Sequence, residues 1–215
     1  MESPIVESVH IPPPAPAYGP GFASVAREAS EMRDSGKVGN LGKSESAAGR
    51  NETLQKFFEL IEEIEVAMMT TRNADGHLES RPMATQKRAA GADLWFVTAE
   101  ATAKLADLER DPHVNLAYYK DRTREYVSVS GVATLSRDRA KIHELYAPDW
   151  KVWFPKGDDP RDGTPDDPRF VLIGIEVHSA VFLEVNKPAP VVLFELAKGL
   201  ITGSTPELGK THRIG

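Results

Sequence analysis

Residues 66–86 read VAMMTTRNADGHLESRPMATQ. Two runs rich in β-prone residues flank Asn73-Ala74-Asp75-Gly76, a turn signal of the kind that closes a hairpin. The spacing predicts two antiparallel strands, and the second contains Arg81-Pro82-Met83. Proline has no amide to give to a sheet ladder, so it belongs at an edge, an end or a bulge. Arg81 and Met83 are two residues apart and therefore face the same side of that strand.

Upstream, ETLQKFFELIEEIEVA sets Leu54, Phe57, Phe58, Ile61 and Ile64 at helical spacing, with Asn51 or Thr53 as the expected cap. Downstream comes a turn containing Gly91, then the strand DLWFVTA. The helix ATAKLADLERDPHV follows, with Thr102 as its cap, Leu105 and Leu108 inward, and Asp111-Pro112 as its stop. VNLAYYKD and REYVSVSGVATLS read as two further strands, the second alternating Val127 and Val129 with Tyr126, Ser128 and Ser130. SRDRAKIHELYA is a helix opened by Ser136 or Asp138. A long acidic, proline-rich loop then leads to FVLIGIEVHSAVFLEV, the strongest strand signal in the chain.

Six strands joined mostly by hairpins, with one small helix between the third and fourth, exclude a doubly wound sheet. They predict a mainly β, α+β fold: an antiparallel barrel, closed or nearly so, with flanking helices. The expected organisation is a flexible Pro/Gly-rich arm over residues 1–50, the folded domain over 51–187, and a C-terminal helix and tail over 188–215. Segments such as PPPAPAYGPGFAS hold too little apolar surface to offset the entropy of ordering them.

The 215 residues include no cysteine, which excludes disulfides, thiol nucleophiles and Cys-ligated metals. A net charge of −6 argues against nucleic acid as a partner, and no apolar run is long enough for a membrane span. The expected compartment is the cytoplasm. Dinucleotide, P-loop, nucleophile-elbow and zincin motifs are all missing. The six histidines (His10, His77, His113, His143, His178, His212) show no metal-ligand spacing, so no metal site is assigned. Asp158, Asp159, Asp162, Asp166 and Asp167 lack the EF-hand pattern and read as a solvated loop. Without a protein-built acid, base or metal centre, redox chemistry here would have to come from a cofactor.

One place gathers polar groups of a useful kind. In WFVTAEATAK, a strand ends at Thr98 and a helix begins near Thr102, with Lys104 in its first turn. Two hydroxyls, an ammonium group and helix-start amides make a seat for phosphate. A plain capped helix start would use the same residues. In a meander, Arg81 lies on the neighbouring strand and supplies a second cation; the alternative is a solvated arginine on an edge.

In this order, VAMMTTRNADGHLESRPM, DLWFVTAEATAK, LERDPHVNLAYY, YVSVSGVATLSRDRAK and WFPKGDDP resemble the pyridoxamine 5'-phosphate oxidase-like family of FMN-binding split barrels. The general-stress-protein branch is the best match, and the resemblance covers about residues 54–185. It implies a six-stranded antiparallel Greek-key split barrel, a homodimer, and FMN in a groove at the subunit interface. It implies cofactor-binding roles for Arg81, Pro82 and Met83 along the flavin, Phe96 and Val97 near the ring, and Thr98, Thr102 and Lys104 at the phosphate. Trp153 and Pro155 would close the site, from the other subunit. No catalytic side chain is assigned.

The chain departs from the family's pattern in three places. It ends in ELGKTHRIG, without the Trp-x-x-x-Arg-Leu-x-Pro signature of the true oxidases. It has Thr102-Ala103-Lys104 where they have Ser-Arg-Lys, and Phe182-Leu183-Glu184 where stress-protein relatives have Tyr-Trp-Asp. The resemblance implies a flavin-dependent oxidoreductase acting on a small molecule, with a reduced nicotinamide as a possible donor. The alternatives are a non-catalytic flavin-binding or flavin-buffering module, and a barrel that takes a deazaflavin or haem instead.

Overall fold

The computed structural model describes residues 47–154, 156–157, 161–185, 190–191, 194–195, 198 and 209–215. The expected N-terminal arm lies outside them up to residue 46. Helix α1 (Ala47–Ile64) begins four residues before Asn51 and six before Thr53, so neither expected residue caps it. It buries Phe57, Leu60 and Ile61 on one face, and the Phe57 ring meets Phe182 at 5.9 Å. Glu65, at φ 64°, then turns the chain directly into the sheet, and its carbonyl accepts from the Thr85 amide (2.8 Å).

Strands β1 (Val66–Arg72) and β2 (Leu78–Ala84) form the hairpin read from sequence. Asn73 Oδ1 accepts from the amides of Asp75 and His77, and Gly76 takes φ +83°, a conformation that suits glycine. Met69 pairs with Arg81, Met68 with Pro82 and Ala67 with Met83. The next elements are β3 (Leu94–Ala99), α2 (Ala103–Arg110), β4 (His113–Lys120), β5 (Glu125–Ser136) and α3 (Arg139–Leu145). A 3₁₀ turn (Pro148–Val152), β6 (Phe170–Glu184) and β7 (Lys210–Ile214) complete the fold.

All pairings are antiparallel, in the order β2-β1-β4-β5-β6-β3, with β7 also on β6. The sheet curls but does not close. β2 and β3 are its two ends, joined across the seam by the Gln86 amide to the Trp95 carbonyl (2.8 Å). Pro82 therefore sits where an edge strand tolerates it. This is the split barrel expected from sequence, with one strand added. β7 falls in the segment read as helix and tail, and it occupies the half of the β6 edge that β3 leaves open. Within that segment Pro190, Val191, Phe194, Glu195 and Lys198 are helical.

Two apolar clusters hold the molecule. The barrel interior contains Phe57, Met69, Met83, Phe96, Leu116, Tyr118, Val129 and Phe182. The second cluster lies outside the barrel wall and joins Trp95, Ile142, Leu145, Trp150, Phe154 and Phe170. Alternation along β3 feeds both, with Phe96 facing inward and Trp95 outward. No helix among the described residues is long and apolar enough to cross a membrane.

Candidate functional site

The end of β3, the start of α2 and the middle of β2 meet at one rim of the barrel. Thr98 is buried there, and Lys104 Nζ donates to its hydroxyl at 2.8 Å. Thr102 occupies the N-cap position of α2, but its hydroxyl turns away from the helix and donates to the Ala99 carbonyl (3.1 Å). The first-turn amides of α2 thus have no side-chain cap from Thr102. Burial lowers the Lys104 pKa, and the nearby charge of Arg81 lowers it further. A half-buried ammonium beside a guanidinium is poised to receive an anion.

Arg81 reaches the same rim from β2. Its Nη1 donates to Thr71 Oγ1 (2.7 Å), and its Nη2 lies 3.0 Å from Glu79 Oε2 and 3.8 Å from Asp107 Oδ2. Asp107, on α2, is buried; its carboxylate also accepts from Thr71 Oγ1 (3.3 Å) and Arg110 Nη2 (3.2 Å). Thr71 and Asp107 were not among the candidates from sequence. Asp107 lies in the charged run ADLERD, which reads as a solvated helix face, and its contact with β1 depends on how α2 packs. The usable signal was its i+3 spacing from Lys104, which places both on one side of a helix.

Of the sequence candidates, Arg81, Thr98, Thr102 and Lys104 come together at this rim. Met83 and Phe96 stand behind it in the barrel core, both largely or fully enclosed. Pro82 is exposed on the other face of β2, and Val97 packs half-buried against the second cluster. Trp153 stands 79% exposed just past the 3₁₀ turn, while the adjoining Phe154 is anchored on Phe170 (rings 4.4 Å apart). Pro155 lies outside the described residues, as do Asp158 and Asp159.

The acidic loop corrects its expected character at one residue. Asp167 is fully buried: its carboxylate accepts from the Gly163 amide and from the Arg169 amide and guanidinium. Those bonds, led by the guanidinium, hold its pKa down to about 2. The loop is thus braced by an internal ion pair. Among the described residues, no group of three or more histidine, aspartate or glutamate side chains could hold a metal ion.

An open antiparallel barrel with this strand order, flanked by helices, is a split barrel. The chain belongs to the pyridoxamine 5'-phosphate oxidase-like family, whose model matches residues 52–207. It is 35% identical over 151 residues to protein bli-3 of Neurospora crassa, covering 69% of this chain and 72% of that one. Among solved structures it resembles a Clostridium acetobutylicum protein related to general stress protein 26 of Bacillus subtilis. That match has a TM-score of 0.54 and 16% identity, and it spans 76% of this chain and 94% of the other. It also resembles the general stress FMN/FAD binding protein of Xanthomonas citri, with a TM-score of 0.52 and 24% identity over 64% and 92% of the two chains.

Proposed function

We propose that this protein binds FMN, with the phosphate seated by Arg81, Thr98, Thr102 and Lys104. The observation that carries the reading is the meeting of Lys104 with Thr98, Thr102 and Arg81 at the uncapped start of α2. A phosphate monoester fits this donor set: two cations, two hydroxyls and helix-start amides, with no carboxylate among the described residues hydrogen-bonded to Lys104. The likeness to the Xanthomonas protein, which is described as FMN/FAD binding, supports the same assignment.

A second copy of the chain completes the site. The outer face of the sheet exposes Val66, Met68 and Tyr119, and Trp153 stands out from the barrel wall. Apolar side chains in such positions suit a homodimer interface with FMN beside it. Bound flavin supplies hydride or electron transfer. The chain's own residues hold the phosphate, balance its charge and shape access to the ring. The protein is on this reading a cytoplasmic flavin-dependent oxidoreductase of the general-stress-protein type, acting on a small molecule.

The test is spectral and kinetic. Purified protein incubated with FMN and desalted retains a flavin absorption band, and a reduced nicotinamide then bleaches it in a saturable manner. Protein that stays colourless after incubation refutes the FMN assignment. Stable colour without any turnover identifies a non-catalytic flavin-binding module instead.

A further inference from the structure

We infer that Asp107 is a positioning residue for the anion seat: it holds Arg81 toward the rim against the competing pull of Glu79. The inference rests on the FMN reading and concerns how the seat is kept assembled. Arg81 Nη2 lies between two carboxylates. Glu79 Oε2 is the nearer, at 3.0 Å, and stands about half exposed; Asp107 Oδ2, at 3.8 Å, is buried.

Distance alone would give Arg81 to Glu79. The surroundings favour Asp107, because screening by water weakens the exposed pair far more than the buried one. Thr71 strengthens that bias by bridging the two. Its hydroxyl accepts from Arg81 Nη1 at 2.7 Å and donates to Asp107 Oδ2 at 3.3 Å. Arg110 fixes the far side of the carboxylate, donating to Oδ1 (3.2 Å) and, from the same Nη2, to the Arg72 carbonyl. Glu79 in turn is held outward by the Asn73 amide, which donates to its Oε1 (2.7 Å).

Asp107 therefore does two things at once. It keeps Arg81 turned toward α2, the helix that carries Lys104 one turn before Asp107. It also keeps the two cations from parting, since repulsion alone would push Arg81 out along β2 to Glu79. Loss of the Asp107 charge hands Arg81 to Glu79 and leaves Lys104 as the remaining side-chain cation of the seat.

Binding of FMN and of riboflavin, which shares the ring but lacks the phosphate, is measured on the full chain by flavin fluorescence. Asp107→Asn, which keeps the side chain's shape, weakens FMN about tenfold, the effect of one charge-assisted contact, and leaves riboflavin unchanged. Adding Glu79→Gln restores most of the FMN affinity. Glu79→Gln alone, at an exposed position that does not threaten folding, tightens FMN. The inference is overturned if Asp107→Asn binds FMN like the unaltered protein, or if FMN and riboflavin weaken equally. It is also overturned if Glu79→Gln neither tightens nor rescues. Failure of the unaltered chain to bind FMN would instead remove the reading beneath it.

Discussion

Lys104 Nζ lies 2.8 Å from Thr98 Oγ1, so a helix residue and a strand residue are tied across the β3–α2 junction. The bond fixes an ammonium group at the barrel rim next to Arg81. If FMN sits as proposed, Lys104→Ala removes one charge-assisted phosphate contact, worth about 1.5–3 kcal/mol of binding. Thermal stability of the unliganded protein is unchanged or slightly raised, because a half-buried charge beside a like charge has been deleted. Fluorescence titration and a melting curve check both halves.

On the proposed FMN reading, the same lysine makes binding sensitive to alkaline pH. Its pKa in the folded chain lies below the ordinary 10.5, lowered by burial and then by Arg81. Between the folded and unfolded values, the unfolded chain carries a proton that the folded chain has lost. Stability of the unliganded protein therefore rises with pH through that window, and the full penalty is present below it. A phosphate favours the ammonium form, so FMN affinity falls as pH rises through the lowered pKa. The expected result is a declining affinity on the alkaline side that Lys104→Ala abolishes.

Trp153 gives a test of the proposed homodimer. Being 79% exposed, it contributes little to the monomer's core, whereas its neighbour Phe154 is buried on Phe170. Trp153→Ala leaves the melting temperature of dilute protein unchanged and weakens FMN binding or self-association by about 2 kcal/mol, as for an aromatic at an interface. Sedimentation with and without FMN separates these two effects.

Local signals carried most of the fold. The Asn73–Gly76 turn and the inward Leu105 and Leu108 could be read from spacing alone, and of the two caps offered for the helix at Arg139–Leu145, Ser136 and Asp138, the structure uses Asp138. Residues whose roles depend on distant partners could not. KTHRI is short and polar, and it becomes a strand because the open edge of β6 and the Phe182 ring receive it. Asp167 looks solvated within an acidic run, yet Arg169 and the Gly163 amide enclose it. At the site, Thr98, Thr102 and Lys104 could be grouped from sequence because one strand–helix turn places them locally. The expected meander that set Arg81 on the neighbouring strand does not form: β2 and β3 are the two ends of the sheet, and Arg81 faces α2 across the open seam. Asp107 was not legible, because its meaning comes from the packing of α2 on β1.

Asp167 should govern acid stability. Its carboxyl is fully buried and its pKa is held near 2, below the ordinary 3.8. A depressed carboxyl contributes stability that is complete above its unfolded value and is lost as pH falls through the folded one. The difference corresponds to about 2 kcal/mol. Asp167→Asn lowers the unfolding free energy at neutral pH by that order and flattens its pH dependence across the window between the two values. Urea denaturation over a pH series measures both.

A substitution in β7 separates fold stability from the proposed flavin binding. His212 is buried, stacks on Phe182 with ring centroids 4.7 Å apart and planes 10° apart, and lies 3.0 Å from Glu184 Oε2. Glu184 also meets Lys56 of α1 at 3.2 Å, so the strand is tied to the helix through one carboxylate. His212→Ala loses a stacked pair and a buried polar contact, about 1–3 kcal/mol together. The strand pairs with residues 180–184 of β6, whereas Thr98 pairs with Val171. About ten strand residues, roughly 30 Å at the usual rise, lie between them. His212→Ala therefore lowers the melting temperature but keeps FMN affinity at temperatures where the variant is folded. A parallel loss of affinity in the folded variant would overturn this separation of β7 from the site.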